Sequence, residues 1–169
     1  MTRQYTRNNC LPPFRLALLF CLALVLSAGC AQRKITAGSP AKMSQGSRVA
    51  NTAAAQIGRP YRAGGSSPQR GFDCSGLVYW AYAQHDIQVP RATTGQAKAG
   101  TSIPRSGLMP GDIVVFKEPS GPNQLHTGIY TGNNSFVHSP NSKSTVRIDS
   151  LNTSHWRKAF VSGRRIVSK

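Results

Sequence analysis

From residue 113 to the C-terminus the sequence runs in short apolar stretches divided by Gly, Asn, Ser and Pro. Residues 113–116 leave the turn Pro110-Gly111-Asp112 and have the length and composition of a buried central strand. Residues 127–131, 135–139, 145–148 and 160–166 read as further strands. Ahead of them the period changes. Val49, Ala53, Ala54 and Ile57 recur at helical spacing, and Gly58-Arg59-Pro60 ends that helix. Asp73 is a good N-cap for a second helix, with an apolar stripe of Leu77, Val78, Ala81 and Tyr82. Thr93, Thr94 and Gln96 mark a short third helix. Helices first and an antiparallel sheet second make an α+β arrangement. The 169 residues suffice for one domain.

The first thirty residues read as an address rather than as fold. Arg3, Arg7 and Arg15 precede an apolar run over residues 16–28 that is short for a membrane span and fits a signal-peptide core. The run ends in Leu26-Ser27-Ala28-Gly29-Cys30, which resembles the lipobox of bacterial lipoproteins, cleaved before the cysteine and lipidated on its thiol. The expected organisation is a signal peptide over 1–29, a lipidated Cys30 with a flexible Ala/Ser/Gly/Lys/Gln tether over 30–46, and one domain over 47–169. Cleavage removes Cys10 and Cys21, so with Cys30 lipidated Cys74 has no disulfide partner.

An unpaired thiol in an exported chain asks for a reason. Cys74 falls in the first turn of the second helix, where free backbone N–H groups and the helix dipole favour a thiolate, the reactive form. The neighbouring Asp73 opposes a second negative charge. A nucleophile needs a base, and the histidines are His85, His126, His138 and His155. A three-residue hairpin loop at Gly132-Asn133-Asn134 pairs Thr131 with Ser135 and Gly128 with His138. His126 then shares a sheet face with His138 as its diagonal neighbour. The chemistry that follows has Cys74 attacking a carbonyl and His126 forming the ion pair with it. His138 orients His126, the Cys74 N–H is the first oxyanion donor, and the Tyr61 hydroxyl is a candidate second. His85 is expected at a helix C-terminus on the surface, and His155 in a loop with Trp156 as a structural or surface residue.

These residues resemble the NlpC-type family of bacterial cell-wall cysteine peptidases. The resemblance covers roughly residues 49–166. It rests on Gly58-Arg59-Pro60-Tyr61, Gly64-Gly65 and Phe72-Asp73-Cys74-Ser75-Gly76-Leu77-Val78. It continues through Arg91, Thr93 and Gln96 to Pro110-Gly111-Asp112-Ile113-Val114, His126-Thr127-Gly128-Ile129-Tyr130 and Phe136-Val137-His138. It implies a papain-like α+β fold, with the cysteine helix packed on a central antiparallel sheet. It implies hydrolysis of amide bonds in peptidoglycan stem peptides or cross-bridges, with Cys74, His126 and His138 catalytic. It places Tyr61 near the oxyanion, gives Asp73 and Ser75 a substrate amine to bind, and implies neither cofactor nor metal. The lipidated signal, short tether and lone domain are most similar to Spr-type murein endopeptidase lipoproteins. Such a protein would sit in the cell envelope, lipid-anchored, at the outer membrane facing the periplasm, with a regulatory envelope partner of unknown identity.

Charge narrows the partners. The chain carries 21 Lys and Arg against 5 Asp and Glu, a formal +16. Loss of three signal-peptide arginines lowers this to +13. Anionic wall peptides and polymers suit that sign. Nucleic acid does not fit an exported chain without stacking or finger motifs. Three other readings use the same residues: a metal site of Cys74, His126 and His138, which lacks any close ligand pair; a non-catalytic envelope-binding lipoprotein of the same fold; and another Cys-dependent amidase or acyltransferase.

Overall fold

A computed structural model describes residues 43–119, 122–140 and 143–167. The expected signal peptide, lipobox-like run and tether through residue 42 lie outside the described residues. Helix α1, Gln45–Ala54, opens with Ser44 as N-cap, whose hydroxyl accepts from the Ser47 N–H. It therefore begins inside the segment whose composition reads as tether. Gly46 belongs there for packing: a Cβ at this position would run into the Pro110 carbonyl.

A two-stranded ribbon follows, β1 (Ser66–Ser67) against β2 (Gly71–Phe72), and feeds directly into α2, Cys74–Ala83. The expected stripe of α2, Leu77, Val78, Ala81 and Tyr82, is fully buried. The short α3 spans Thr93–Gln96. The main sheet is then built from β3 (Thr101–Ile103), β4 (Ile113–Lys117), β5 (Leu125–Gly132), β6 (Ser135–His138), β7 (Arg147–Ser150) and β8 (Phe160–Arg165). Its order is β3-β8-β4-β5-β6-β7, and all neighbours are antiparallel. Helix α4, Ser154–Ala159, links β7 to β8.

Strand alternation divides the core in two. Ile113, Val115, Ile129 and Val137 face α1 and α2, while Val114, Phe116, Tyr130 and Phe136 meet Leu151 and Trp156 on the other face. The Pro-Gly-Asp turn is held at both ends. Gly111 takes a φ of 95°, which a side chain would resist. Asp112 accepts from the Met109 N–H and pairs with Arg165 at 2.7 Å, with only 4% of its side chain exposed. Tyr82 reaches across from α2 to donate to the Gly111 carbonyl.

Three expectations change in detail. Residues 154–159, expected as loop, form α4. Thr153 caps it, and six residues are too few to display a helical period. The strand expected at 145–148 lies at Arg147–Ser150. The β5–β6 loop has two residues, Asn133 and Asn134, both at positive φ (51° and 53°). A bulge between Tyr130 and Gly132 restores the odd count, so Ile129 still faces Val137. The register expected for Gly128 and His138 is therefore kept by a different turn.

Candidate active site

Asp73 and the Gly64-Gly65 loop set the position of Cys74. One Asp73 carboxylate oxygen accepts from the Gly76 N–H at 2.6 Å, closing the first turn of α2. The other accepts from the Gly64 N–H at 2.9 Å. The Gly65 carbonyl takes the Asp73 N–H at 3.1 Å. Gly76 has no room for a Cβ, because the Gly65 backbone lies against it. The ribbon and the helix start are thus one rigid piece with Cys74 at its corner.

The thiol is buried and takes backbone hydrogen bonds from Thr127, Ser75 and Cys74 itself. Burial pushes its pKa up, the Thr127 bond pulls it down, and the Asp73 charge pushes it up again. Thr127 is the residue after His126, so the sulfur sits where β5 begins. Gln96 ties these two elements together. Fully buried, it donates to the Ser75 and Pro90 carbonyls and accepts from the Thr127 hydroxyl at 2.9 Å. Nothing in the sequence assigns Gln96 this role beyond its place in the resemblance.

His126 Nε2 and His138 Nδ1 are 2.8 Å apart, with the rings edge to face. Both side chains are buried. Burial, then the neighbouring His138, pushes His126 down to about 3, and burial also lowers His138. Among the described residues no hydrogen bond joins the thiol to His126: the sulfur bonds to backbone and the imidazole to His138. Burial thus works against the charged form of both partners of the expected ion pair.

The second histidine leads to a residue that sequence reading missed. His138 Nε2 lies 3.0 Å from Asp149 Oδ2, which also accepts from Trp156 Nε1 at 3.0 Å and from Arg147 at 3.0 Å. Trp156 stacks on His126 with ring centroids 5.5 Å apart. Asp149 lies on β7, whose strand was expected to end one residue short of it.

Tyr61 bridges to Phe72, and its N–H donates to the Ser144 carbonyl at 3.1 Å. Its hydroxyl pKa is raised by burial and then by Cys74 and Asp73, so the phenol shares the field of the thiol. Asp73 and Ser75 come together, but the cation they hold is Arg91. Its guanidinium meets the two Asp73 oxygens at 3.0 and 2.8 Å and the Ser75 hydroxyl at 2.9 Å. His85 is half-buried just beyond α2 and bonds Thr52 at 2.8 Å. His155 is exposed and pairs with Glu118 at 3.1 Å. Among the described residues no group of three or more His, Cys, Asp or Glu converges as metal ligands.

Comparison with known proteins places the chain among related sequences and folds. The chain is 43% identical over 155 residues to the probable endopeptidase NlpC of Escherichia coli K12, covering 87% of this chain and 99% of that protein. It is 40% identical over 124 residues to the murein DD-endopeptidase MepS/murein LD-carboxypeptidase of the same organism, covering 73% of this chain and 64% of that one. The crystal structure of an NlpC/P60 family protein from Bacillus cereus superposes with a TM-score of 0.68 at 30% identity, covering 74% of this chain and 41% of that chain. Residues 58–165 match the NlpC/P60 family itself, a span that includes Tyr61, Cys74, His126, His138 and Asp149. The chain belongs to the NlpC/P60 family.

Proposed function

We propose that this protein is a cysteine peptidase of the cell wall, a murein endopeptidase that hydrolyses amide bonds of peptidoglycan peptides. One observation carries the reading: a free cysteine at a helix N-terminus, abutting β5 where it carries His126, whose buried ring is bonded to His138 on β6. The relatives named as murein endopeptidases support the substrate class.

In the proposed cycle His126 Nδ1 takes the Cys74 proton as the sulfur attacks the carbonyl carbon. Nδ1 is the ring nitrogen left once Nε2 is engaged with His138. The thiol–imidazole bond tightens when substrate arrives, as such bonds do in many enzymes. The oxyanion is received by the Cys74 N–H and the Tyr61 hydroxyl. The imidazolium then protonates the leaving amine, giving a thioester. Water, deprotonated by His126, releases the acid and restores the thiol. Asp73 and Ser75 act on the substrate side together with Arg91. An amine would have to displace that guanidinium, whereas a bond inside linked peptides needs no amine seat. This favours cleavage within cross-bridges.

We further propose that Cys30 is lipidated and anchors the domain in the envelope, at an outer membrane facing the periplasm. The support is the lipobox-like run ending in Cys30. Among the described residues no helix is long and apolar enough to cross a membrane. Labelling cells with a tagged fatty acid tests it: label should enter the native chain and not Cys30→Ser.

The functional test is digestion of purified peptidoglycan by the native chain beside Cys74→Ala, with products identified by mass spectrometry. Conversion of cross-linked dimers to monomers only with intact Cys74 is the expected result. Shortened stem peptides would keep the enzyme and move its bond. No Cys74-dependent product under reducing conditions, across several wall types, would replace the peptidase with a binding module.

A further inference from the structure

We propose that Asp149 is a positioning residue of the active site, which selects the proton arrangement of both buried histidines and so leaves His126 Nδ1 unprotonated toward Cys74. The inference rests on the reading of His126 as the catalytic base. It adds a fourth, remote member to the Cys74–His126–His138 set.

All recorded contacts of the Asp149 carboxylate are with donors. Oδ1 accepts from Arg147 Nε at 3.1 Å, and Oδ2 from Arg147 at 3.0 Å and from Trp156 Nε1 at 3.0 Å. An ionised carboxylate has no proton to give, so its contact with His138 Nε2 at 3.0 Å requires that nitrogen to carry the hydrogen. A neutral His138 then has its lone pair on Nδ1. That nitrogen faces His126 Nε2 at 2.8 Å, so His126 must donate from Nε2. A neutral His126 protonated on Nε2 has its lone pair on Nδ1. One carboxylate on β7 thereby fixes the tautomer of a ring two residues away in the chain of contacts.

The surroundings hold Asp149 to this task. Arg147, on the same strand, grips it from the solvent side, and the bonds from His138 first, then from Arg147 and Trp156, hold its pKa below the ordinary carboxylate range. Trp156 comes from α4, bonds it with the indole N–H and lays its ring on His126. The same ring meets His138 edge to face at 5.1 Å. The charged or titratable groups felt at His126 are His138, Asp149, His155 and Arg147, and Asp149 alone raises its basicity. Removing the carboxylate leaves His138 free to adopt either tautomer. It also withdraws the negative charge that stabilises the imidazolium formed when Cys74 gives up its proton.

The test is nitrogen-15 NMR of the histidine rings, read beside kinetics on peptidoglycan peptides. In the native chain both His126 and His138 should be protonated on Nε2, with Nδ1 as lone pair. In Asp149→Ala that single arrangement should give way to a mixture. The turnover kcat should fall roughly tenfold with KM little changed. The limb of the pH–rate profile that reports His126 should move to lower pH. Asp149→Asn keeps the shape and loses the charge, and should shift the same limb in the same direction. A purely structural Asp149 would lower folded yield and leave tautomer and pH limb in place, which overturns the proposal. So does a native His126 protonated on Nδ1, a result that needs no variant to fold. Absence of Cys74-dependent turnover in the native chain would instead count against the peptidase reading, and the ring tautomers would still decide this one.

Discussion

His126 is enclosed by aromatic rings. Trp156 covers one face, His138 meets its edge and Phe116 lies 6.2 Å away. That burial keeps the imidazole neutral in the fold, with its pKa near 3 against an ordinary 6.5. The unfolded chain therefore binds more protons between those values, and stability rises with pH across the window. The contribution is complete above about pH 7 and declines as pH falls below 6.5, the loss reaching about 2 kcal/mol at pH 5. His138, also lowered by burial, and Asp149, lowered by its bonds to His138, work in the same direction. Thermal unfolding at pH 7.5 and pH 5 should show a marked loss for the native chain and a smaller one for His126→Gln. Equal losses would mean the histidine ionises freely in the fold. The candidate site residues were legible in sequence because Cys74 follows a capping Asp73 and the two histidines share a hairpin. Asp149 was not. Its place beside His138 depends on a β6–β7 pairing in which His138 faces Arg147, two residues from Asp149 on the same face. No local pattern marks a carboxylate across a strand.

At the level of elements, the site is a joint between α2 and β5, and Gln96 on α3 is its fastener. Its amide satisfies the Ser75 carbonyl at the start of α2 and the Thr127 hydroxyl beside His126. Gln96→Leu keeps the volume and removes the Gln96 partner of the buried Thr127 hydroxyl and of the Ser75 and Pro90 carbonyls. We expect a loss of about 3 kcal/mol, read as a lower urea midpoint, with a fall in kcat greater than the folded fraction explains. Unchanged kcat per folded molecule would mean that the core packing of α2 alone sets the thiol. Elements marked by an apolar run or a helical stripe between turn residues were legible: α1, α2 and the four strands β4, β5, β6 and β8. The ribbon β1–β2 and the edge strand β3 escaped because two or three residues make no such run, and α4 because six residues are fewer than two helical turns. The hairpin was read with the wrong loop and the right register, since the Tyr130–Gly132 bulge adds back the residue that the two-residue Asn133-Asn134 turn omits.

Across the whole molecule the negative charge is spent internally. Asp73 pairs with Arg91, Asp112 with Arg165, Glu118 with His155, and Asp149 with Arg147 and His138. Of the chain's five acids, Asp86 alone lies outside these pairs. Among the described residues most of the remaining basic side chains face solvent, and part of that charge flanks the site. Arg59 and Arg62 are exposed on either side of Pro60-Tyr61. Their segment is pinned beside the strand leading to Arg147 by the bonds Tyr61 N–H to Ser144 and Val146 N–H to Arg59. Stem peptides carry carboxylates, so we expect the field at this rim to draw such a substrate in before any specific contact forms. Steering of that kind acts on encounter and is screened over about 10 Å at 0.1 M salt. Raising salt from about 0.05 to 0.5 M should therefore lower kcat/KM several-fold while kcat stays nearly constant. Arg62→Glu should lower kcat/KM at low salt and flatten its salt dependence, because the rim no longer presents one sign. A kcat/KM indifferent to salt in the native chain would mean the excess charge serves solubility, and that substrate finds the groove by shape alone.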